Sequence, residues 1–332
     1  MSAPLRVGLV GAGWVTQHHL TGWARVQGQA RVVAIADPDP AAVQARARAF
    51  GIPQTFAGAA QMFDEVRLDA VDIAAPREFH AELVRMAAAR GLAVLCQKPL
   101  APTFAEASAL VAQVAGQCRL MVHENWRFRP YYRDLARWLR EDRIGPVVQG
   151  QMTLLSSGVL PDASGALPTL VRQPFIATLE RALVMEILIH HIDTLRFLLG
   201  ELTLRHARLG HASPAMRGED RAFLAFDTAT GAPVSMLANL AVHGQPAGML
   251  DRLLLVGTHG TLLLEGGSLQ CHGATPGEVT YDMPACYLDS YAAAIAHFVA
   301  CLRSGAPFET APEDNLRTLA LVEAAYATGG GG

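Results

Sequence analysis

The sequence has few charged residues, and what it lacks narrows the classes of protein it can be. Charged residues make up 17% of the 332 positions and hydrophobic residues 51%, so the chain can bury a sizeable core and is not expected to be disordered. The net charge is −3, and the arginines, which far outnumber lysine, are dispersed, so no basic stripe for nucleic acid is present. No membrane span or signal peptide pattern is recognisable, and a cytoplasmic protein is expected.

Cysteine is scarce and shows no metal-binding or disulfide pattern. The five cysteines are odd in number, widely spaced and without a C-x-x-C pair, which argues against a zinc knuckle and a disulfide framework. They are expected to be small buried residues in a reducing compartment. The cysteines stand at Cys96, Cys118, Cys271, Cys286 and Cys301.

Two patterns divide the chain near residue 124. Residues 1–123 alternate short apolar strands, beginning with Leu5–Val10, with amphipathic helices, which predicts a parallel sheet covered on both faces. Residues 124–328 instead carry six strand-like segments and a long helix over Glu180–Leu199, which predicts an α+β domain on a mostly antiparallel open sheet. The fold class is therefore α/β, with an N-terminal Rossmann domain and a second α+β domain.

The turn after the first strand carries a dinucleotide-binding pattern. Gly11 permits the tight turn, and Gly13 lets the backbone approach a pyrophosphate at the N-terminus of the next helix, beside Trp14 and Val15. Asp37 ends the second strand, 24 residues after Gly13, where an acid accepts the ribose hydroxyls and repels the phosphate of NADP. NAD is therefore the expected cofactor, although Asp37 also suits a cap on the following turn.

Several motifs together resemble the glucose–fructose oxidoreductase/inositol dehydrogenase (Gfo/Idh/MocA) family. The Cys96–Leu100 stretch resembles its Glu-Lys-Pro signature, and the resemblance runs in order through nearly the whole chain. Three residues depart from the family pattern, because Gln97 replaces a usual Glu, Glu186 a usual Asp and Leu188 a usual Gly. The other motifs are Gly11–His19, Asp72–Pro76 with His80, Asn125–Phe128, Glu186–Asp193 and Gly257–Thr261.

The resemblance implies reversible hydride transfer between a nicotinamide and a hydroxyl carbon of a sugar, polyol or sugar acid. It also implies a sheet domain whose open face forms an oligomer contact, so a homodimer or homotetramer is expected. Pro76, His80, Gln97 and Lys98 are the further cofactor-binding residues that it implies. The departures are similar to those of enzymes that act on branched sugar acids, for example enzymes that couple the oxidation of apionate to its isomerisation.

The reaction needs a base for the hydroxyl proton, and two places in the sequence offer one. Lys98 follows the strand Leu92–Cys96 at the carboxyl edge of the sheet, and the resemblance makes it a catalytic and substrate-binding residue. Glu186, His190 and Asp193 share one face of an α-helix by spacing, which predicts His190 as base or hydroxyl ligand and Glu186 as its partner. His191 suits function and packing equally.

Arginines beside Trp126 suggest a substrate with a carboxylate. Arg binds carboxylates through two parallel bonds, so Arg127 and Arg129, with Arg172 or Arg181, could line a pocket for a polyhydroxy acid. For each single Arg, a solvated side chain or an interdomain salt bridge is at least as good an explanation.

Three functions are therefore open. The first is an NAD-dependent dehydrogenase of a sugar, polyol or sugar acid, and the second is a metal-assisted oxidoisomerase. Glu124 and the polar residues of the Glu186 helix offer suitable ligand types, but no metal-binding spacing supports them, so no metal is assigned. The third is a non-catalytic NAD-binding regulatory protein, against which the joint presence of Lys98 and His190 counts.

Overall fold

The chain forms two compact units in a computed structural model that describes residues 3–248 and 250–329. The first unit holds the residues up to Arg129 together with Pro284–Leu319, and the second holds Pro130–Met283 and the residues from Ala320 on. This division differs from the contiguous one predicted, because a late helix returns to the first unit. Local periodicity does not report such long-range packing.

The first unit is built on six parallel strands in the order β3-β2-β1-β4-β5-β6. Strands β4 and β6 are buried along their whole length, and the other inner strands nearly so, as expected for a parallel sheet covered on both faces. The order reverses between β1 and β4, and ligands bind at the carboxyl ends of strands beside such a point. The strands are β1 (Leu5–Val10), β2 (Ala30–Ala36), β3 (Gln54–Phe56), β4 (Ala70–Ile73), β5 (Ala93–Gln97) and β6 (Leu120–His123).

Five helices connect these strands, and their ends carry ordinary capping signals. Asp39 accepts hydrogen bonds from the N–H groups of Ala41 and Ala42, and Thr103 accepts one from Glu106, so both residues cap helix N-termini. The helices are α1 (Thr16–Ala24), α2 (Pro40–Phe50), α3 (Ala59–Glu65), α4 (His80–Ala88) and α5 (Phe104–Val114).

The returning helix α9 (Met283–Ser304) completes the core of the first unit. Its Phe298 packs edge-on to Trp23, with ring centroids 6.3 Å apart, and a Cβ at Gly22 would lie 2.7 Å from Ile295. Gly22 therefore allows a close approach of this helix. By length and composition alone α9 is apolar enough to cross a membrane, but here Ile295 and Phe298 are core residues. The last helix is α10 (Pro312–Gly329).

The second unit is built on an eight-stranded sheet in the order β14-β13-β12-β11-β7-β10-β9-β8. All neighbours pair antiparallel except β7 and β10, so the mostly antiparallel sheet predicted is confirmed. The last two strands were not predicted; their short, glycine-flanked sequences give a weak signal. The strands are β7 (Val147–Leu155), β8 (Leu202–Gly210), β9 (Arg221–Thr228), β10 (Pro233–Asn239), β11 (Leu250–Gly257), β12 (Gly260–Glu265), β13 (Ser268–Gly273) and β14 (Gly277–Thr280).

One face of this sheet is buried and the other is open. Burial alternates along β9 and β10, as the period of two of a one-sided sheet requires. Phe223 and Leu237 stand opposite each other on the open face and are both exposed. The family resemblance assigns its oligomer contact to this face, and that assembly stays a prediction.

A buried helix carries the polar motif of the second unit. Residues Leu183–Leu188 form a π-helical turn, in which the N–H of Ile189 bonds to the carbonyl of Val184, and α8 (Ile189–Leu199) follows. The predicted single α-helix from Glu180 is wrong in its start and in its first turn. The Glu219 carboxylate accepts the N–H groups of Ala182 and Val184, which fixes this later start. The unit also contains α6 (Pro130–Arg140) and α7 (Pro168–Arg172).

Candidate active site

The turn after β1 is shaped to bring backbone close to a ligand. Gly11 has a φ of +106°, and a Cβ there would lie 2.4 Å from the carbonyl oxygen of Ala74, so only glycine fits. A Cβ at Gly13 would meet no protein atom within 4 Å, so the space beside its backbone is open. The residues of this turn therefore fit a pyrophosphate at the N-terminus of α1.

Thr16 stands where the dinucleotide-binding pattern usually has a third glycine or alanine. Its buried hydroxyl donates a 3.1 Å hydrogen bond to the carbonyl of Gly11 and so ties the start of α1 to the turn. The departure therefore adds a bond inside the turn. Trp14, in the same turn, is 38% exposed, and Val15 is the N-cap residue of α1.

The Asp37 carboxylate is held at the end of β2 by two backbone donors. Its Oδ2 accepts the N–H of Ala12 at 2.7 Å, and its Oδ1 accepts the N–H of Asp39 at 2.8 Å. The side chain is half-buried, and each oxygen keeps a lone-pair direction for a further donor. Asp37 thus closes the turn and presents a fixed negative charge beside Gly13, where a ribose diol would bind and a phosphate would be repelled.

We expect Asp37→Ala to weaken NAD binding by about 10- to 100-fold, because bonds to a charged acceptor are lost. The preference for NAD over NADP should fall as well, since the repelling charge is gone. Titration of both cofactors against the protein, followed by intrinsic fluorescence, measures these changes. Asp39→Ala is the matched control, because it removes a neighbouring carboxylate that only caps α2. Equal losses in both variants would contradict a ribose contact.

His80 joins the two loops that follow β4 and β5. Its Nδ1 lies 2.8 Å from the carbonyl oxygen of Pro99, and its Nε2 lies 2.8 Å from that of Ala75. The ring is buried, so it shapes the edge of the site through these loops. Pro76, at the end of the first loop, precedes a short 3-10 turn over Arg77–Phe79.

Lys98 follows β5 at the same edge of the sheet and is the only lysine among the 332 residues. With 27 Lys and Arg together, every other long-chain cation is one of 26 arginines. Arginine cannot release a proton near neutral pH, whereas an amine can. The one side chain of this type therefore stands where open α/β sheets bind ligands.

The predicted arginine ligands are engaged with protein groups inside the first unit. Arg127 is buried and donates to the Asp314 carboxylate at 2.8 Å and to the carbonyl of Glu309 at 3.1 Å. The Arg129 guanidinium stacks 3.3 Å from the ring centroid of Trp126, which is half-buried. These contacts favour the salt-bridge interpretation of Arg127 over a substrate carboxylate.

In the second unit, Glu186 lies on the π turn, and His190 and Asp193 lie on α8. Glu186 is half-buried, whereas His190 and Asp193 are 7% and 1% exposed. π turns are frequent at functional sites because they widen a helix locally. Their roles as base, partner carboxylate and substrate ligands stay predictions.

His191 is fully buried among protein partners of the second unit. Its Nδ1 lies 3.1 Å from the carbonyl of Ile187 and its Nε2 lies 2.8 Å from the Asp251 carboxylate. The second oxygen of Asp251 accepts the hydroxyls of Tyr132 at 2.8 Å and of Tyr131 at 3.2 Å. This network connects α8 to β11 and α6. It favours a packing role for His191 over a functional one.

Over residues 3–248 and 250–329, no group of three or more His, Cys, Asp or Glu side chains could hold an ion. Both ring nitrogens of His191 face protein acceptors, and Glu124 accepts the N–H of Trp126 at 3.1 Å.

Sequence reasoning missed a buried polar cluster behind the site in the first unit. The rings of His19 and His123 pack against each other with centroids 4.3 Å apart, and Tyr291 of α9 packs against both. Burial, and next the electrostatic interaction with the neighbouring Tyr287, raises the pKa of Tyr291 well above its usual value, so its hydroxyl stays protonated. Asp72, a charged residue inside an apolar strand, was the signal in the sequence.

Comparison with known proteins places both parts of the chain. Residues 5–124 match a model described as an oxidoreductase family with an NAD-binding Rossmann fold, and residues 132–263 match a GFO/IDH/MocA C-terminal domain. A D-apiose dehydrogenase of Paraburkholderia graminis is 35% identical over 96% of this chain and 86% of its own length. A D-apiose dehydrogenase of Rhizobium rhizogenes is 32% identical over 99% and 96%.

A solved structure agrees with these matches. An oxidoreductase from Agrobacterium radiobacter, in complex with NAD+, L-tartaric acid and magnesium, superposes with a TM-score of 0.90. It is 30% identical and covers 98% of this chain and 96% of its own. The predicted fold class, NAD as cofactor and an oxidoreductase activity are confirmed.

Proposed function

Since the chain belongs to the GFO/IDH/MocA family of NAD-binding oxidoreductases, we propose that it oxidises a neutral branched sugar of the D-apiose type. The observation that carries this proposal is the match to two D-apiose dehydrogenases over 96% and 99% of the chain. Because the matches extend through both domains, they include the one that the resemblance assigns to the substrate.

The bonds that Arg127 and Arg181 make to protein groups favour a neutral substrate over an acid. A sugar acid needs a cation for its carboxylate, and Arg is the usual choice. Arg127 is bound to Asp314 and the carbonyl of Glu309, and both terminal nitrogens of Arg181 contact the Glu323 carboxylate. Binding a substrate through either guanidinium would break these bonds to protein groups, so neither is readily available to a substrate.

The chemistry asks the protein for one proton acceptor. In an aldose ring the anomeric carbon loses a hydride, its hydroxyl loses a proton, and the ring becomes a lactone. NAD, when bound by the Gly11–Val15 turn and Asp37, supplies the hydride acceptor. When the Lys98 amine is uncharged, it accepts the proton of the sugar hydroxyl and binds the hydroxyl oxygen by a hydrogen bond. Glu186 and His190 are the residues proposed to bind the sugar hydroxyls.

The test is NADH formation, followed by absorbance, with D-apiose, inositols, linear aldoses and aldonic acids as substrates. We expect D-apiose to give the highest kcat/KM and aldonic acids of equal length to give little turnover. Product analysis should find a lactone or the acid formed by its hydrolysis. Turnover confined to acids would contradict the proposal and would indicate that arginines bind the carboxylate of the substrate.

A sugar acid handled with a metal is the second candidate, because the Agrobacterium radiobacter oxidoreductase was solved with L-tartaric acid and magnesium. The same panel, run with magnesium and with EDTA, separates the candidates. Turnover of an acid that EDTA abolishes would favour the oxidoisomerase. Tight NAD binding with no turnover on any substrate would favour a regulatory protein.

A further inference from the structure

A chain of hydrogen bonds links a buried carboxylate to the backbone of Lys98. Oδ2 of Asp72, on β4, lies 2.8 Å from Nδ1 of His19, and Nε2 of His19 lies 3.1 Å from Nε2 of Gln97. Oε1 of Gln97 in turn accepts the backbone N–H of Lys98 at 2.8 Å. The side chains of Asp72, His19 and Gln97 are 0%, 0% and 9% exposed, so water does not compete for these bonds.

The backbone N–H of Lys98 determines which atom donates and which accepts in each of these hydrogen bonds. A backbone N–H can only donate, so the oxygen of the Gln97 amide must face Lys98 and its NH2 must face His19. The Nε2 of His19 then accepts, and its Nδ1 carries the hydrogen that is donated to Asp72. The geometry therefore selects the neutral Nδ1–H tautomer of His19.

The groups packed around His19 hold this arrangement. His123 and Tyr291 pack against the ring of His19, and Trp23 donates its Nε1–H to the same Asp72 oxygen at 2.7 Å. Burial, and next the charge of Asp72, raises the pKa of the Cys96 thiol well above its usual value, so that neighbour stays neutral. His19 and Trp23 thus both contact Oδ2 of Asp72.

We propose that Asp72, His19 and Gln97 form a positioning relay that fixes the backbone of Lys98. The proposal rests on the proposed function only in that Lys98 is the proton acceptor. The Asp72 carboxylate polarises the His19 ring, so Nε2 of His19 accepts a stronger hydrogen bond from the NH2 of Gln97. That bond orients the amide oxygen of Gln97 toward the backbone of Lys98. Gln97 suits this task because its two ends differ: one accepts and the other donates.

Glutamate, the residue usual in the family, could not make the same chain. A carboxylate at position 97 would accept from Lys98 with one oxygen and present a second acceptor to Nε2 of His19. His19 would then need a proton on both nitrogens, between two carboxylates. The amide of Gln97 thus keeps the relay neutral apart from Asp72.

The single lysine provides a direct readout. Labelling with [15N]lysine gives one backbone amide signal, from the N–H that Gln97 accepts. We expect Asp72→Asn and His19→Asn to move this signal upfield and to speed its exchange with solvent. With the substrate found in the panel, we expect kcat to fall by about 10- to 100-fold, as for a misplaced catalytic group. The KM for NAD should stay within about twofold.

Gln97→Glu is the conservative test. It keeps an acceptor for Lys98, so the lysine amide signal should stay near its original position. The 15N signals of His19 should change from a neutral to a cationic ring. Thr103→Ala is the matched control, because it destabilises the nearby α5 cap without touching the relay. Its lysine amide signal and kcat should not change.

Two results would overturn the relay. One is a folded Asp72→Asn protein whose lysine amide signal is unmoved, since the bonds would then not be coupled. The other is a moved signal with an unchanged kcat, since the network would then be only structural. The amide readout needs neither cofactor nor substrate, so a panel without turnover would defeat the proposed function and leave the relay test intact.

Discussion

Replacing Lys98 by alanine is expected to lower kcat by about 10²- to 10⁴-fold, the contribution of a positioned proton acceptor. Affinity for NAD should change little, because the turn after β1 and Asp37 are untouched. The measurements are steady-state kinetics with the best substrate of the panel and NAD titration. Lys98 is the only lysine, so the variant removes every lysine amine from the protein.

Two further experiments test whether the loss of activity comes from the loss of a proton acceptor. Lys98→Arg keeps a positive charge but cannot release its proton near neutral pH, so it should be as inactive as the alanine variant. A small primary amine added to Lys98→Ala should restore part of the turnover, and more at higher pH, since the neutral amine accepts the proton. An arginine variant that keeps most of the activity would show that Lys98 acts by charge alone.

The sequence predicted the parts of the site that depend on local order. Gly11 and Asp37 each follow a recognisable apolar strand, and parallel strands end at a common edge, so their grouping follows from the strand pattern. Lys98 was placed at the same edge by the same reasoning. In the structure these residues follow β1, β2 and β5, and the close approach to Ala74 explains why Gly11 must be a glycine.

The parts that sequence reasoning missed depend on pairings distant in the chain. His19 and Asp72 are 53 residues apart, and the return of α9 brings Tyr291 to them from more than 200 residues away. Arg127 was ambiguous because its partner, Asp314, is 187 residues distant. Periodicity and spacing report only which side chains share a face of one element, so these partners could not be identified.

His191 is the clearest example of a residue whose role depends on a partner distant in the chain. Asp251→Ala removes that partner, and it is the substitution with the largest expected effect on stability. The substitution would leave His191, Tyr131 and Tyr132 buried without the carboxylate that accepts from all three. Losing one partner of such a buried network costs about 3–5 kcal/mol in the free energy of unfolding. Urea denaturation of the variant, followed by circular dichroism, measures this loss. Asp251→Asn, which keeps one acceptor oxygen, should lose less.

The adjacent Arg252→Ala is the matched control, because it removes an ion pair with Glu265 on the exposed side of the same strand. Exposed pairs contribute little, so its unfolding free energy should stay close to that of the natural protein. If His191 instead binds substrate, Asp251→Asn will raise the KM for the sugar while the unfolding free energy hardly moves. A loss of stability at unchanged KM would assign His191 to the core, and leave Glu186 and His190 as the substrate residues to test on this helix.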